Sequence, residues 1–93
     1  MITQVIQAYA TPNIPGNEYC LMAHVDDDGI FWVGAYEYDP ITKSWSKEYG
    51  SVSYQRDETI VRDIRHDPDV KEYFAGQGFY INKSEYEATK ENN

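Results

Sequence analysis

Cys20, His24 and His66 are the residues whose types best suit a nucleophile with its base or a transition-metal site, because thiolate and imidazole serve both roles. Cys20 and His24 are four residues apart, which on a strand puts them on one face but about 13 Å apart along the chain, too far to touch. A buried free thiol and an ordinary histidine are expected instead. His66 precedes Asp67 near a helix end, where the helix dipole favours a cation. The run Asp26-Asp27-Asp28-Gly29 lines up hard oxygen donors but lacks the alternate spacing and distal glutamate of a helical calcium loop, so it is expected to be a solvated turn. Gly76-Gln77-Gly78 is too short for a phosphate cradle and follows a helix where a nucleotide fingerprint would open one, so it reads as a helix stop. Sixteen acidic residues single out no pair for glycoside cleavage. Arg56, Arg62 and Arg65, with Glu58 and Arg62 at i,i+4 spacing, read as a salt-bridged outer face. The expectation is a protein that is not an enzyme, with no catalytic residue, metal or cofactor.

The elements that carry these residues follow from turn chemistry and period. Residues 2–10 fit two periods, a helix on Ile2, Val5, Ile6 and Tyr9 and a strand face on Ile2, Ile6, Ala8 and Ala10, of which the strand is preferred, and Thr11 to Asn17 break the segment into a loop. Residues 18–25 read as a strand, Asp26 to Gly29 as a tight hairpin turn suited to positive φ, and residues 30–38 as the returning strand. Asp39-Pro40-Ile41-Thr42-Lys43 supplies a second turn, after which residues 44–54 form a third strand of an antiparallel meander. Ile60, Val61 and Ile64 then lie on one helical face behind Asp57 and Glu58. Asp67 caps a second helix with Pro68 at its first position, Val70, Tyr73 and Phe74 as its apolar stripe and Gly76 as its stop. Residues 78–81 suggest a short strand, and Ser84 with Glu87 has the spacing of a capping box for a last helical turn or two.

Ninety-three residues make one domain, expected over residues 1–90 with a frayed tail at 91–93. The fold expected is α+β: an antiparallel meander of three or more strands packed against short helices in two layers. Nine Tyr, three Phe and two Trp supply large rings for a core, which separates the chain from disordered acidic tails. One cysteine makes no internal disulfide. The longest apolar run, residues 30–35, is far short of a bilayer span, and no secretory signal pattern opens the chain, so a soluble cytoplasmic protein is expected.

Charge and face patterning point to binding. A net charge of -8 argues against direct contact with nucleic acid or anionic membrane and leaves a basic protein partner open. Asp26, Asp27, Asp28, Glu37, Asp39 and Glu48 gather around the meander, with Tyr36 and Tyr38 as anchors, and these eight residues form the expected protein-binding set. Small size, acidity and the lack of chemistry are shared with phage-encoded inhibitors of host defence, DNA mimics among them. That likeness is compositional, and the partner it implies is a nucleic-acid-handling protein.

With even hairpin loops, Tyr19, Leu21, Ala23, Val25, Ile30, Trp32, Tyr36, Tyr38, Trp45 and Tyr49 share the face that the helices cover. Cys20, Met22, His24, Phe31, Val33, Ala35, Glu37, Ser46, Glu48, Val52 and Tyr54 then share the other, and an odd loop exchanges one strand's residues between faces. Either way the central strand is apolar on both sides, and its second face needs residues 2–10, a second copy or a foreign partner as cover. The alternative to charge mimicry is therefore a self-associating or small-ligand-binding α+β module, with a homodimer as one form.

Overall fold

The computed structural model describes residues 1–45, 54–56 and 63–91. It is a two-layer α+β domain. The strands are β1 (Ile2–Ala8), β2 (Glu18–Val25), β3 (Phe31–Asp39), β4 (Ser44–Trp45) and β5 (Tyr54–Arg56), followed by a 3₁₀ turn at Ile64–His66 and the helices α1 (Pro68–Gly76) and α2 (Lys83–Glu91). The sheet runs β1-β2-β3-β4 in antiparallel meander order. Because β2 occupies one side of β3, β4 and β5 share the other, and five segments fill four strand positions. Of the third strand expected over residues 44–54, the stretch 46–53 lies outside the described residues, as do Ile60, Val61, Asp57, Glu58 and Arg62 of the first expected helix.

The first hairpin closes where expected, but with the opposite parity. Asp26 and Ile30 are joined from the Asp26 amide to the Ile30 carbonyl (3.1 Å), and the Gly29 amide donates to the Asp26 carbonyl (3.0 Å), leaving the three-residue loop 27–29. Gly29 alone takes a positive φ (79°), and Asp26 Oδ1 accepts from the amides of Asp28 (3.0 Å) and Ile30 (2.9 Å). This is a turn followed by a one-residue glycine bulge, where a two-residue type I′ turn would need two positive φ values. The odd loop pairs Val25 with Phe31, Ala23 with Val33, Leu21 with Ala35 and Tyr19 with Glu37. Phe31, Val33, Ala35 and Glu37 thus move to the helix side, while Trp32, Tyr36 and Tyr38 leave it, because opposed residues share a face. The second loop, 40–43, is even, so Trp45 stays on the same face as Tyr38.

The core forms between that helix side and the helical half: Ala8, Tyr19, Leu21, Ala23, Phe31, Val33 and Ala35 from the sheet meet Ile64, Val70 and Phe74. Ile6, Ala10, Phe79 and Ile81 close its margin. The opening segment is the strand expected, but a bulge between Ile2 and Gln4 turns Ile2 to the opposite face from Ile6 and Ala8. β1 also extends the sheet beside β2, and so is not a cover for the second face.

Helix signals hold with local corrections. Asp67 caps α1, accepting from the amides of Asp69 (3.0 Å) and Val70 (3.4 Å), and Pro68 takes the first position, where its missing amide costs nothing. Val70 and Phe74 are fully buried. Gly76 is the last helical residue, and the left-handed position falls on Gly78 (φ 92°). There the Phe79 amide reaches the Phe74 carbonyl (2.8 Å) and the Gly78 amide the Ala75 carbonyl (3.0 Å), a Schellman stop. Asn82, not Ser84, caps α2, since its Oδ1 accepts from the Ser84 amide at 2.9 Å. The expected strand at 78–81 reduces to one bridge, Tyr9 with Tyr80.

Candidate functional site

Two rows of side chains leave the sheet on the side away from the core. β2 contributes Cys20, Met22 and His24, and β3 contributes Trp32, Gly34, Tyr36 and Tyr38 opposite them. The His24 ring stacks on Trp32 (centroids 4.2 Å apart, planes 10° off parallel), and the Tyr36 hydroxyl lies 3.1 Å from His24 Nε2. Tyr36 reaches that atom from a position four residues along β3 from Trp32. The residue between them on this face is Gly34, which carries no side chain to block the ring. At the far end Tyr38 packs on Trp45 with centroids 4.4 Å apart. Among the described residues this face is a ladder of aromatic rings, flanked on β1 by the exposed Ile2 (54%) and Val5 (53%).

Cys20 shares the face but not the reactivity of a nucleophile. It is a free, buried thiol, and burial pushes its pKa up to about 12. The thiolate is the reactive form, so at pH 8 only about 1 part in 10,000 is ionised. Native protein is expected to resist alkylation by iodoacetamide at pH 8 and to label only on unfolding in denaturant, with mass spectrometry as the readout. Labelling at the rate of a free thiol would mean that this face opens in the native state. His24 is engaged by Trp32 and Tyr36, and His66 is exposed in the 3₁₀ turn. Among the described residues no group of three His, Cys, Asp or Glu side chains is placed to hold a metal ion.

The acidic set expected to bind a partner is not brought together. Asp26, Asp27 and Asp28 are exposed at one hairpin tip, whereas Asp39 lies at the other end of β3, roughly 26 Å away at strand rise. Asp26 is a structural residue of its turn, as given above. Asp39 is half-buried and similarly committed: the amides of Ile41 (2.8 Å) and Thr42 (3.3 Å) donate to its Oδ1 and lower its pKa. Glu37 is 1% exposed on the core side and accepts from Asn17 Nδ2 at 3.0 Å, so it leaves the surface set. Tyr36 and Tyr38 are half-buried members of the aromatic ladder, and Glu48 lies outside the described residues.

Of the arginine strip, Arg65 is paired with Asp63 (Nη2 to Oδ2, 2.7 Å), an exposed bridge that also brings the Asp63 pKa down to about 2. Asp63 and Arg65 form one wall of a groove of about 710 Å³, with Ile81 beside them and Gln4, Val5 and Gln7 of β1 opposite. Gln4 fixes this wall to the strand, its Oε1 accepting from the Ile64 amide at 2.8 Å. The groove and the exposed pair Ile2 and Val5 were missed by motif reading. The sequence signal for them is an absence: the first 17 residues carry no Asp, Glu, Lys or Arg in a chain of net charge -8. No described helix is long and apolar enough to cross a membrane. Comparison with known protein families, with curated proteins and with solved structures finds no match to the chain.

Proposed function

We propose that this protein is a non-catalytic binding module that works by self-association through its sheet. The observation that carries the reading is the uncharged edge strand β1, whose Ile2 and Val5 are more than half exposed beside the aromatic ladder. A contiguous apolar patch beyond a few hundred Å² marks an interaction surface, and Ile2 and Val5 stand opposite His24 and Met22, on the same face as the aromatic ladder. An uncharged strand also lets two copies of an acidic chain approach without setting like charges against each other. The test is sedimentation velocity from ~0.01 M to ~1 M NaCl, over which the Debye length falls from ~30 Å to ~3 Å. Association by apolar and backbone contact persists across that range, whereas a monomer at every concentration would remove the reading.

A second reading keeps the acidic tip as a dock for a basic, nucleic-acid-handling protein, in the manner of a phage inhibitor or DNA mimic. It is supported by the exposure of Asp26, Asp27 and Asp28 on one turn. Because Asp26 holds the turn, the informative variant is Asp27→Lys with Asp28→Lys. Capture of one stoichiometric basic partner that is lost in this variant and at high salt would favour the second reading.

A further inference from the structure

Resting on the self-association reading, we propose that two copies join by antiparallel pairing of their β1 edges across a two-fold axis at Val5. β1 is the outer strand of the sheet, and its backbone direction is known at one point. The Tyr9 amide and carbonyl face away from β2, since they bond to Tyr80 (2.7 and 2.9 Å). Strand alternation then turns the amides and carbonyls of Gln7 and Val5 outward as well, and those of Ala8, Ile6 and Gln4 toward β2. No described residue pairs with the outward groups of Val5 and Gln7, and the groove described above runs alongside them.

Natural edge strands are guarded by charge, proline or brevity. β1 has seven residues and neither a charged side chain nor a proline, and its one irregularity is the bulge between Ile2 and Gln4 at its start.

The occupant follows from the ends of the free stretch. Tyr80 closes the edge at Tyr9, and Thr3 is the extra residue of the bulge at the N-terminal end, which leaves residues 4–7 as regular edge. One antiparallel register of two such edges keeps clear of Tyr80 and uses both outward residues, with Val5 opposite its own copy and Gln7 opposite the bulged Thr3. Sliding one way drives residue 3 of one copy onto the other's Tyr80, and sliding the other way leaves Gln7 unpaired. In that register Val5 exchanges both backbone bonds with its copy, and the exposed Val5 side chains meet on the same face. Like charges are absent from both strands. A five-residue contact is smaller than the ~1,600 Å² of a standard interface, so the dimer is expected to depend on concentration in the range of about 5 to about 500 µM.

The register is read by crosslinking and the contact by sedimentation velocity. Directly opposed residues of this kind have Cα atoms about 5.5 Å apart, inside disulfide range, whereas Gln7 and its copy lie about 14 Å apart. Val5→Cys is therefore expected to give a covalent dimer on mild oxidation, and Gln7→Cys is not. Val5→Pro removes an amide that points away from β2, and Val5→Lys sets two ammonium groups against each other with the backbone unchanged. Each is expected to weaken the dimer about tenfold or more while the circular dichroism spectrum stays that of the parent. Crosslinking of Gln7→Cys in place of Val5→Cys, or a dimer unaffected by a folded Val5→Lys, overturns the β1 pairing and leaves self-association standing. A parent protein that is monomeric throughout overturns both.

Discussion

Replacing Val33 by Asp is expected to abolish the cooperative thermal transition at neutral pH. Val33 is fully buried at the centre of β3, opposite Ala23 and in the cluster that includes Ile64, Val70 and Phe74. A carboxylate there has no cation among the core residues, and the effective penalty of several kcal/mol for one uncompensated buried charge compares with a total stability of about 5–14 kcal/mol for a chain of this length. Burial raises such a carboxyl's pKa, so the variant's deficit shrinks as pH falls through that raised value and the group turns neutral. The control is Ile41→Asp, at a side chain 90% exposed in the turn after β3, which is expected to cost under about 1 kcal/mol. Thermal melts of both, followed by circular dichroism, make the comparison. A Val33→Asp protein that melts cooperatively near the parent temperature would mean that this side of β3 is hydrated.

Phe74→Ala is expected to cost about 3–5 kcal/mol, the second largest effect. The Phe74 ring is fully buried between α1 and the sheet, and Tyr73 meets it edge-on at 5.1 Å. Its carbonyl also receives the Phe79 amide in the helix stop, a bond that alanine retains. Alanine is the better helix former, so the loss comes from the emptied site and not from α1 itself. At roughly 4–8 °C per kcal/mol for a domain of this size, the midpoint should fall by at least about 12 °C. A loss under about 1 kcal/mol in urea titration would show that α1 is not anchored through this ring.

Several elements were legible because their signals are local. Asp67-Pro68 placed the start of α1, since a short carboxylate can bond the first amides and a fixed φ suits the first turn. Asp28-Gly29 placed the first hairpin, since Gly29 accepts the positive φ that the turn requires. The site was much less legible. Acidic residues close in sequence separated because β3 holds Asp26 to Asp28 and Asp39 at opposite ends, and Glu37 turned inward to meet Asn17. The cap of α2 moved from Ser84 to Asn82, because two short polar residues within one turn compete for the same amides.

The sequence alone determined an antiparallel α+β domain, the positions of its hairpins and of α1, and the buried, free character of Cys20. Tertiary structure decided which face of β3 became core. Phe31 and Trp32 are adjacent and both large, so the strand's own pattern supports either choice, and a single residue in the hairpin loop reverses all of them. The choice rests on Asp26, whose bonds close a three-residue loop, and on a helical layer that takes in Phe31, Val33 and Ala35 while the Trp32 and Tyr36 rings engage His24 on the opposite face. Those contacts join residues far apart in the chain, and no local propensity encodes them.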